Sequence, residues 1–293
     1  MNENSRNLIY LENAEVIFQQ AFEADQFVLR IKAPKCANTA QAGQFSHIRC
    51  DPQRPMRRPL SIMRVSKKEG WVEFLYRAVG EGTRLLAQRK AGESLSVLGP
   101  IGRPFELQKD KPKALLLGGG VGIPPMICLS ESIKENDPDI KPVVFMGSEV
   151  PFPFQREKSA IQVEGVAKDV SDCLPLLEEW SIPSRLASLQ DYEGVYQGYI
   201  TNLARVWLTA LSDGEKQQVA IYSCGPTPML KAVAALAEEF GLPCQVSLEE
   251  YMACAVGGCA GCVVKVSTDK GDAMKRVCVD GPVFDAATVF ANT

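Results

Sequence analysis

The sequence predicts an all-β domain followed by an α/β domain: an N-terminal antiparallel β-barrel over residues 1–108, a central parallel-sheet domain over 109–242, and a short C-terminal region over 243–293. Three observations lead there. As far as Leu107, short apolar and β-branched runs are separated by Gly, Pro, Asp and Asn turn signals. After Lys111, strand-like and helix-like runs alternate. Four of the ten cysteines then crowd between Cys254 and Cys278. At 293 residues the chain is long enough for about two domains with a cleft between them.

The β-rich part contains LIYLENAEVIF, QFVLRIKA, GQFSHIRC, RPLSIMRV and GWVEFLYRAV, spaced as in a small antiparallel barrel. TRLLAQRK predicts one helix over Thr83–Lys90, with Thr83 as its cap and a basic last turn. In the next part KALLLGGG reads as a buried strand entering a glycine turn, PPMICLSESIKEN as a helix and KPVVFMG as a second strand. QQVAIYSCGPTPMLKAVAALAEEFG repeats strand, Gly/Pro turn and helix. A parallel sheet built this way binds ligands at the carboxyl ends of its strands.

Composition removes whole classes of chemistry. With a single histidine, His47, a His-based zinc hydrolase or a Ser-His-Asp enzyme is nearly excluded. Lys+Arg 32 against Asp+Glu 35 gives a net charge of −3, and no long basic run supplies the counter-charge that nucleic acid or an anionic membrane needs. The longest uncharged stretch, Ala114–Ser130, holds four Gly and two Pro in 17 residues and is no membrane span. The opening MNENSRNLIY has no secretory pattern, so a cytosolic location is expected. In a reducing compartment a cysteine cluster favours metal or redox chemistry over disulfides.

Cys254, Cys259, Cys262 and Cys278 form C-x4-C-x2-C-x15-C, the plant-type spacing of a [2Fe-2S] centre. The small residues between them let backbone N–H groups approach the inorganic sulfides. The alternatives are a four-cysteine structural zinc site, which usually pairs two short knuckles, and ordinary buried thiols. Cys36, Cys50, Cys128, Cys173 and Cys244 read more simply as small core hydrophobes.

Gly118, Gly119, Gly120 and Gly122 let backbone amides face a pyrophosphate at a helix N-terminus; tight strand–helix packing without a ligand is the alternative. The second turn, SCGPTPML, puts Cys224 near the same cleft, either as a site residue or as a buried structural thiol. In RRPLS an arginine three residues before Ser61, followed later by Gly82-Thr83 at a helix N-terminus, suits a flavin pyrophosphate. Surface solvation explains Arg57 and Arg58 equally well.

In order, RRPLS, GEGT, GGGVGIPPM, CGPTPM and the cysteine motif resemble the ferredoxin-reductase superfamily, most closely the electron-transfer subunits of class 1B dihydroorotate dehydrogenases, from Val16 to Phe284. The cysteine tail followed by DGPVF is the most specific part. The resemblance implies that Arg58, Pro59, Leu60, Ser61, Leu75, Tyr76, Arg77, Gly82 and Thr83 bind FAD. It implies that Gly118, Gly119, Gly120, Gly122, Gly225, Pro226 and Met229 hold NAD, with Cys224 beside the nicotinamide as the catalytic residue, and that Cys254, Cys259, Cys262 and Cys278 ligate the [2Fe-2S] cluster. The three regions then become an FAD-binding barrel, an NAD-binding α/β domain and a cluster-binding tail.

The implied partner is an FMN-containing dihydroorotate dehydrogenase catalytic subunit, in a heterotetramer of two of each. Electrons from dihydroorotate would reach NAD+ by way of that FMN, the cluster and FAD, serving pyrimidine biosynthesis. Ser148 and Glu149 after VVFMG, where a 2′-phosphate would want Arg, favour NAD over NADP. The chain departs from the family pattern at Leu60, where relatives often have an aromatic residue, at Ala255, where many have Gly, and at Tyr192-Glu193, which interrupt an Asp-Gly pair. Residues 150–190 match poorly and read as an insertion. An NAD(P)H–ferredoxin or hydrogenase-associated reductase subunit shares every cofactor motif, and a zinc-stabilised binding module is the rival from another class.

Overall fold

The computed structural model describes residues 8–291. Strands β1 (Tyr10–Phe22), β2 (Gln26–Lys32), β3 (Phe45–Arg49), β4 (Arg58–Ser66), β5 (Trp71–Arg77) and β6 (Ser94–Ile101) close into an antiparallel barrel in the order β1-β2-β5-β4-β3-β6. Alternate residues fill it: Leu29, Ile31, Ile48, Ile62, Val72, Phe74 and Val97 share one buried core. Two short helices interrupt the strands, α1 (Pro34–Thr39) and α2 (Glu81–Leu86).

The helix expected over Thr83–Lys90 is displaced, and its ends explain why. Gly80 is the N-cap; its N–H donates to Thr83 Oγ1 and the Thr83 hydroxyl donates back to the Gly80 carbonyl, both at 3.1 Å, so Thr83 lies inside the first turn. At the other end Gln19 Nε2 donates to the carbonyls of Leu86, Ala87 and Arg89 at 3.1, 2.9 and 3.1 Å, closing the helix after Leu86.

The central region runs β7 (Lys113–Gly119), α3 (Ile123–Asn136), β8 (Lys141–Gly147), the hairpin of β9 (Glu157–Lys158) and β10 (Asp172–Cys173), α4 (Pro175–Glu179), β11 (Ser184–Ser188), β12 (Tyr196–Gln197), α5 (Ile200–Ala210), α6 (Asp213–Lys216), β13 (Val219–Cys224), α7 (Thr227–Phe240) and β14 (Cys244–Ser247). The tail adds β15 (Val263–Thr268), β16 (Gly271–Arg276), α8 (Val277–Asp280), β17 (Val283–Asp285) and α9 (Ala286–Val289). The main sheet has the order β12-β11-β8-β7-β13-β14-β17, parallel throughout except for β17, which runs antiparallel to β14.

Alternation along the central strands assigns their two faces. Ala114, Leu116, Ala220 and Tyr222 join a core with Met126 and Ile127 of α3 and the barrel interior. Leu115, Leu117, Val219 and Ile221 join a second core with Leu203 and Trp207 of α5, Leu230 and Val233 of α7, and the tail. The barrel is fastened to α3 by Arg64, whose Nη2 and Nε donate to Glu131 Oε1 at 2.8 and 3.1 Å.

Residues 150–190 are integrated rather than appended. β11 lies inside the main sheet, Arg156 pairs with Asp172 at 2.5 Å, and Gln26 of the barrel donates to the Pro151 carbonyl at 2.7 Å. Where Tyr192-Glu193 interrupt the family pattern, Gly194 makes the turn at φ +80°, with the Asp172 carboxylate filling the space a Cβ would need. Region 243–293 lends two strands to the main sheet, and the DGPVF motif is the β17 edge strand with its approach. Among the described residues, no helix is long and apolar enough to cross a membrane.

Candidate cofactor sites

The proposed flavin segment starts at the first residue of β4, where the two arginines of RRPLS separate in role. Arg57 braces the barrel: its Nη1 donates to the carbonyls of Ser96 and His47 at 2.6 and 3.2 Å, and its Nη2 to Ser96 Oγ at 2.8 Å. The Arg58 guanidinium instead lies over Gly82 at the start of α2, where a Cβ would stand 2.9–3.0 Å from Nε, Cζ and Nη2. A cation held against a helix start with Gly80 open beside it has the charge and the clearance that a phosphate group requires. Ser61, three residues along β4, is half-buried. Leu60 points into the barrel core, and Tyr76 is buried, stacked on Phe27 at 5.5 Å with its hydroxyl donating to Gln19 Oε1 at 2.8 Å. Of this segment Leu75 is also buried, whereas Arg77 is exposed.

The two glycine turns meet because β7 and β13 are neighbours, with Gly118 opposite Cys224. A Cβ at Gly122 would stand 2.2 Å from the Cys224 carbonyl oxygen, and Met229 Sδ fills the space beside Gly119 and Gly225. Gly120, at φ +55°, faces open space, so backbone there is free to approach a ligand. Pro226 is the N-cap residue of α7. Cys224 is fully buried, and desolvation, with the Glu249 charge adding to it, pushes its thiol well above the ordinary range; Ser247, its partner across the β13–β14 pairing, and the Gly225 N–H oppose the rise. Ser247 and Glu249 were not legible in the sequence: β14 has only four residues, too few to show a period.

The cysteine loop is shaped by left-handed residues: Ala255 at φ +56°, Gly257 at +83° and Ala260 at +54°. This winding turns the N–H groups of Val256, Gly258 and Cys259 toward Cys254, whose thiol, despite some desolvation, is drawn down to about 7. The side chains fall in two groups: Cys259 is the cysteine beside Cys254, and Cys262 lies 3.3 Å from Cys278. Two thiols for each of two irons is the donor set of a [2Fe-2S] centre, and inward N–H groups match its sulfides. Among the described residues, no three Cys, His, Asp or Glu side chains gather as ligands of a single ion.

Cys262 and Cys278 are buried and Cys259 is exposed, so the site has one wet side. On its dry side Ala255, Cys262, Cys278 and Met252 share a core with Phe45 and Ile101 of the barrel. The other five cysteines are all buried, and burial raises the thiols of Cys36, Cys128 and Cys173 to about 12 and that of Cys50 to about 11.

A flavin-type barrel, a nucleotide-type sheet with two touching glycine turns, and a four-thiol loop define an iron–sulfur reductase of the ferredoxin-reductase type. Comparison with known proteins narrows this. Residues 249–290 match the iron–sulfur cluster binding domain of dihydroorotate dehydrogenase B. The chain is 31% identical over 279 residues to the dihydroorotate dehydrogenase B (NAD(+)) electron transfer subunit of Shouchella clausii, covering 94% of this chain and 96% of the relative. It is 36% identical over 248 residues to that of Caldanaerobacter subterraneus subsp. tengcongensis, covering 84% and 86%. Among solved structures, a chain of the NADH-dependent reduced ferredoxin-NADP oxidoreductase aligns with TM-score 0.75 and 26% identity over 95% of this chain and 90% of its own. The chain belongs to the family of dihydroorotate dehydrogenase B electron transfer subunits.

Proposed function

We propose that this chain passes electrons between an FMN-containing dihydroorotate dehydrogenase subunit and NAD+ in de novo pyrimidine biosynthesis, with FAD and a [2Fe-2S] cluster as its resident cofactors. The observation that carries this reading is the shared wall: Ala255, Cys262 and Cys278 belong to one core with Phe45 of β3 and Ile101 of β6, and β3 pairs directly with the Arg58–Ser61 segment of β4. When bound, the cluster carries single electrons and the flavin exchanges a hydride with nicotinamide. The residues of this chain do the rest. Arg58, Gly82 and Thr83 hold the FAD phosphates, Pro59, Ser61 and Arg77 with the backbone of Leu60, Leu75 and Tyr76 line its bed, and the Gly118–Gly122 and Gly225–Met229 turns seat NAD with Cys224 at their junction. Cys254, Cys259, Cys262 and Cys278 hold the cluster.

The partner docks on the wet side of the cysteine loop, in a heterotetramer of two of each subunit. Exposed apolar residues lie beside and within the loop, Tyr251 before it at 94% exposure and Val256 inside it.

Arg58→Ala is expected to weaken FAD retention by about tenfold or more, since a charge-assisted hydrogen bond contributes about 1.5–3 kcal/mol; the flavin-to-protein ratio after gel filtration measures it. The functional test uses the purified holoprotein. It should transfer electrons from NADH, in preference to NADPH, to an artificial acceptor, and should oxidise dihydroorotate only after the FMN subunit is added. Turnover of dihydroorotate by this chain alone, or a colourless zinc protein, would overturn the reading. The likeness to the ferredoxin-NADP oxidoreductase makes a ferredoxin-linked partner the second reading, and co-purification distinguishes the two.

A further inference from the structure

A bulge in β4 turns one cation out of the barrel. Leu60 and Ile62 belong to the barrel core, and by strict alternation Arg64 would follow them inward. The pairing of β4 with β5 slips between Ile62, opposite Phe74, and Arg64, opposite Glu73, so the extra residue Met63 re-aims Arg64 to the outer face. There its Nη2 and Nε donate to Glu131 Oε1 of α3 at 2.8 and 3.1 Å. With the two side chains at 23% and 15% exposure, the pair is shielded from the water and salt that weaken open surface pairs.

The Arg64 guanidinium also lies against two indoles, 5.7 Å from Trp71 of β5 and 5.1 Å from Trp180, the residue that ends α4. Arg30 of β2 stands 4.0 Å over Trp71, and Lys134 of α3 stands 5.8 Å over Trp180. Cations and indoles thus alternate from the barrel to the main-sheet domain, and Arg64 is where the row crosses. Both elements that it joins lead to a cofactor segment. β4 begins with the Arg58–Ser61 stretch, three residues before Arg64, and α3 begins at Ile123, directly after the Gly118–Gly122 turn.

We infer that Arg64 and Glu131 are positioning residues for hydride exchange: their bond holds the flavin-bearing strand against the nucleotide-bearing helix and so sets how closely nicotinamide approaches the flavin. The inference rests on the reading of Arg58–Ser61 as part of the FAD bed and of the glycine turns as the NAD seat. In the transfer NADH gives up a hydride, one proton with two electrons, and leaves as NAD+, while the oxidised flavin takes the hydride up. Arg64 and Glu131 exchange nothing with either; they act through the two elements they join.

The experiment uses the full chain with both cofactors, in wild type, Arg64→Met, Glu131→Gln and the double variant. Methionine keeps an unbranched apolar stem against the indoles and removes the donors; glutamine keeps the shape of Glu131 and removes its charge. Flavin and iron are assayed, and NADH is then mixed anaerobically over a range of concentrations to separate the limiting rate of flavin reduction from the half-saturating concentration. Amide hydrogen exchange is measured on the oxidised holoprotein without NADH. Because a misplacement of about 1 Å can cost about a hundredfold, each single variant should lower the limiting rate by about tenfold. Half-saturation and both cofactor contents should stay within about twofold of wild type, since each cofactor segment lies wholly on one side of the bond. Exchange should quicken in residues 58–66 and 123–136 and stay unchanged in α7 on the other face of the sheet. The double variant should be no slower than Arg64→Met, as for two halves of one interaction.

Wild-type limiting rates in both single variants would overturn the inference, even with a lowered melting temperature, since that marks a stabilising role alone. A loss confined to NADH half-saturation, unchanged exchange in both segments, or single effects that multiply in the double variant would overturn it equally. If Arg64→Met does not fold, the rate and exchange of Glu131→Gln decide. Wild-type protein that purifies without flavin would overturn the flavin reading itself and this inference with it, a result distinct from every variant outcome.

Discussion

Cys262→Ser protein is expected to lose its iron and labile sulfide almost entirely while keeping its flavin. Cys262 is the most constrained of the four proposed ligands: it is buried, its Sγ lies 3.3 Å from that of Cys278, and its carbonyl accepts the Val277 N–H at 2.9 Å. It thus ties the loop to α8 by backbone as well as by thiol. A serine hydroxyl fits the space but ionises far less readily than a thiol and is a hard oxygen donor where iron–sulfur chemistry needs soft thiolate. The barrel core and the α3 face of the main sheet contain no cluster cysteine, so FAD binding and NADH oxidation with an artificial acceptor should stay within about twofold of wild type. Iron and sulfide analysis alongside acceptor turnover reads both effects. Cys128→Ser and Cys244→Ser, outside the loop, should leave iron content unchanged; if they lowered it as much as Cys262→Ser, the assignment of ligands would fall.

The sequence was most legible where chemistry demands a local pattern and least where function depends on which strands become neighbours. The cysteine spacing sits within one loop and needs no tertiary knowledge to be read. KPVVFMG and the helix after GGGVG are set by short-range apolar pattern and proline, and both appear as elements. By contrast, the helix expected over Thr83–Lys90 ends after Leu86 because Gln19, distant in sequence, closes it there. The sheet strand β11, hidden in a region that read as an insertion, takes its place from pairing with β8. His47 illustrates the same limit. As one residue in a composition it nearly excludes a His-based zinc hydrolase or a Ser-His-Asp enzyme; only strand pairing places it, completely buried, between Pro59 of β4 and Leu98 of β6. Ser247 likewise reaches Cys224 through the pairing of β13 with β14.

Gly122→Ala should be the most damaging of the glycine substitutions at the nucleotide turns. Its Cβ would stand 2.2 Å from the carbonyl oxygen of Cys224, 2.4 Å from the carbonyl carbon and 2.5 Å from the Gly225 nitrogen, all backbone atoms in the turn that follows a buried strand. Backbone cannot swing aside as a side chain can, so the two turns must separate. Overpacking of this kind costs about 1–3 kcal/mol, and a shift of about 1 Å in a reacting geometry can slow a reaction by about a hundredfold. The expected result is a lower melting temperature and flavin reduction by NADH slowed by about two orders of magnitude, with the iron content unchanged. Gly119→Ala should be milder, because the atom it meets, at 2.3 Å, is Met229 Sδ near the end of a flexible side chain. Met229→Ala should therefore relieve Gly119→Ala and leave Gly122→Ala uncorrected. At Gly120 nothing lies within 4 Å and only its φ of +55° opposes a side chain, a penalty of about 1 kcal/mol. Thermal melts and anaerobic stopped-flow mixing with NADH would rank the three, and an order in which Gly120→Ala slowed flavin reduction more than Gly122→Ala would show that contact with the nucleotide, rather than the abutment of the two turns, governs this edge of the sheet.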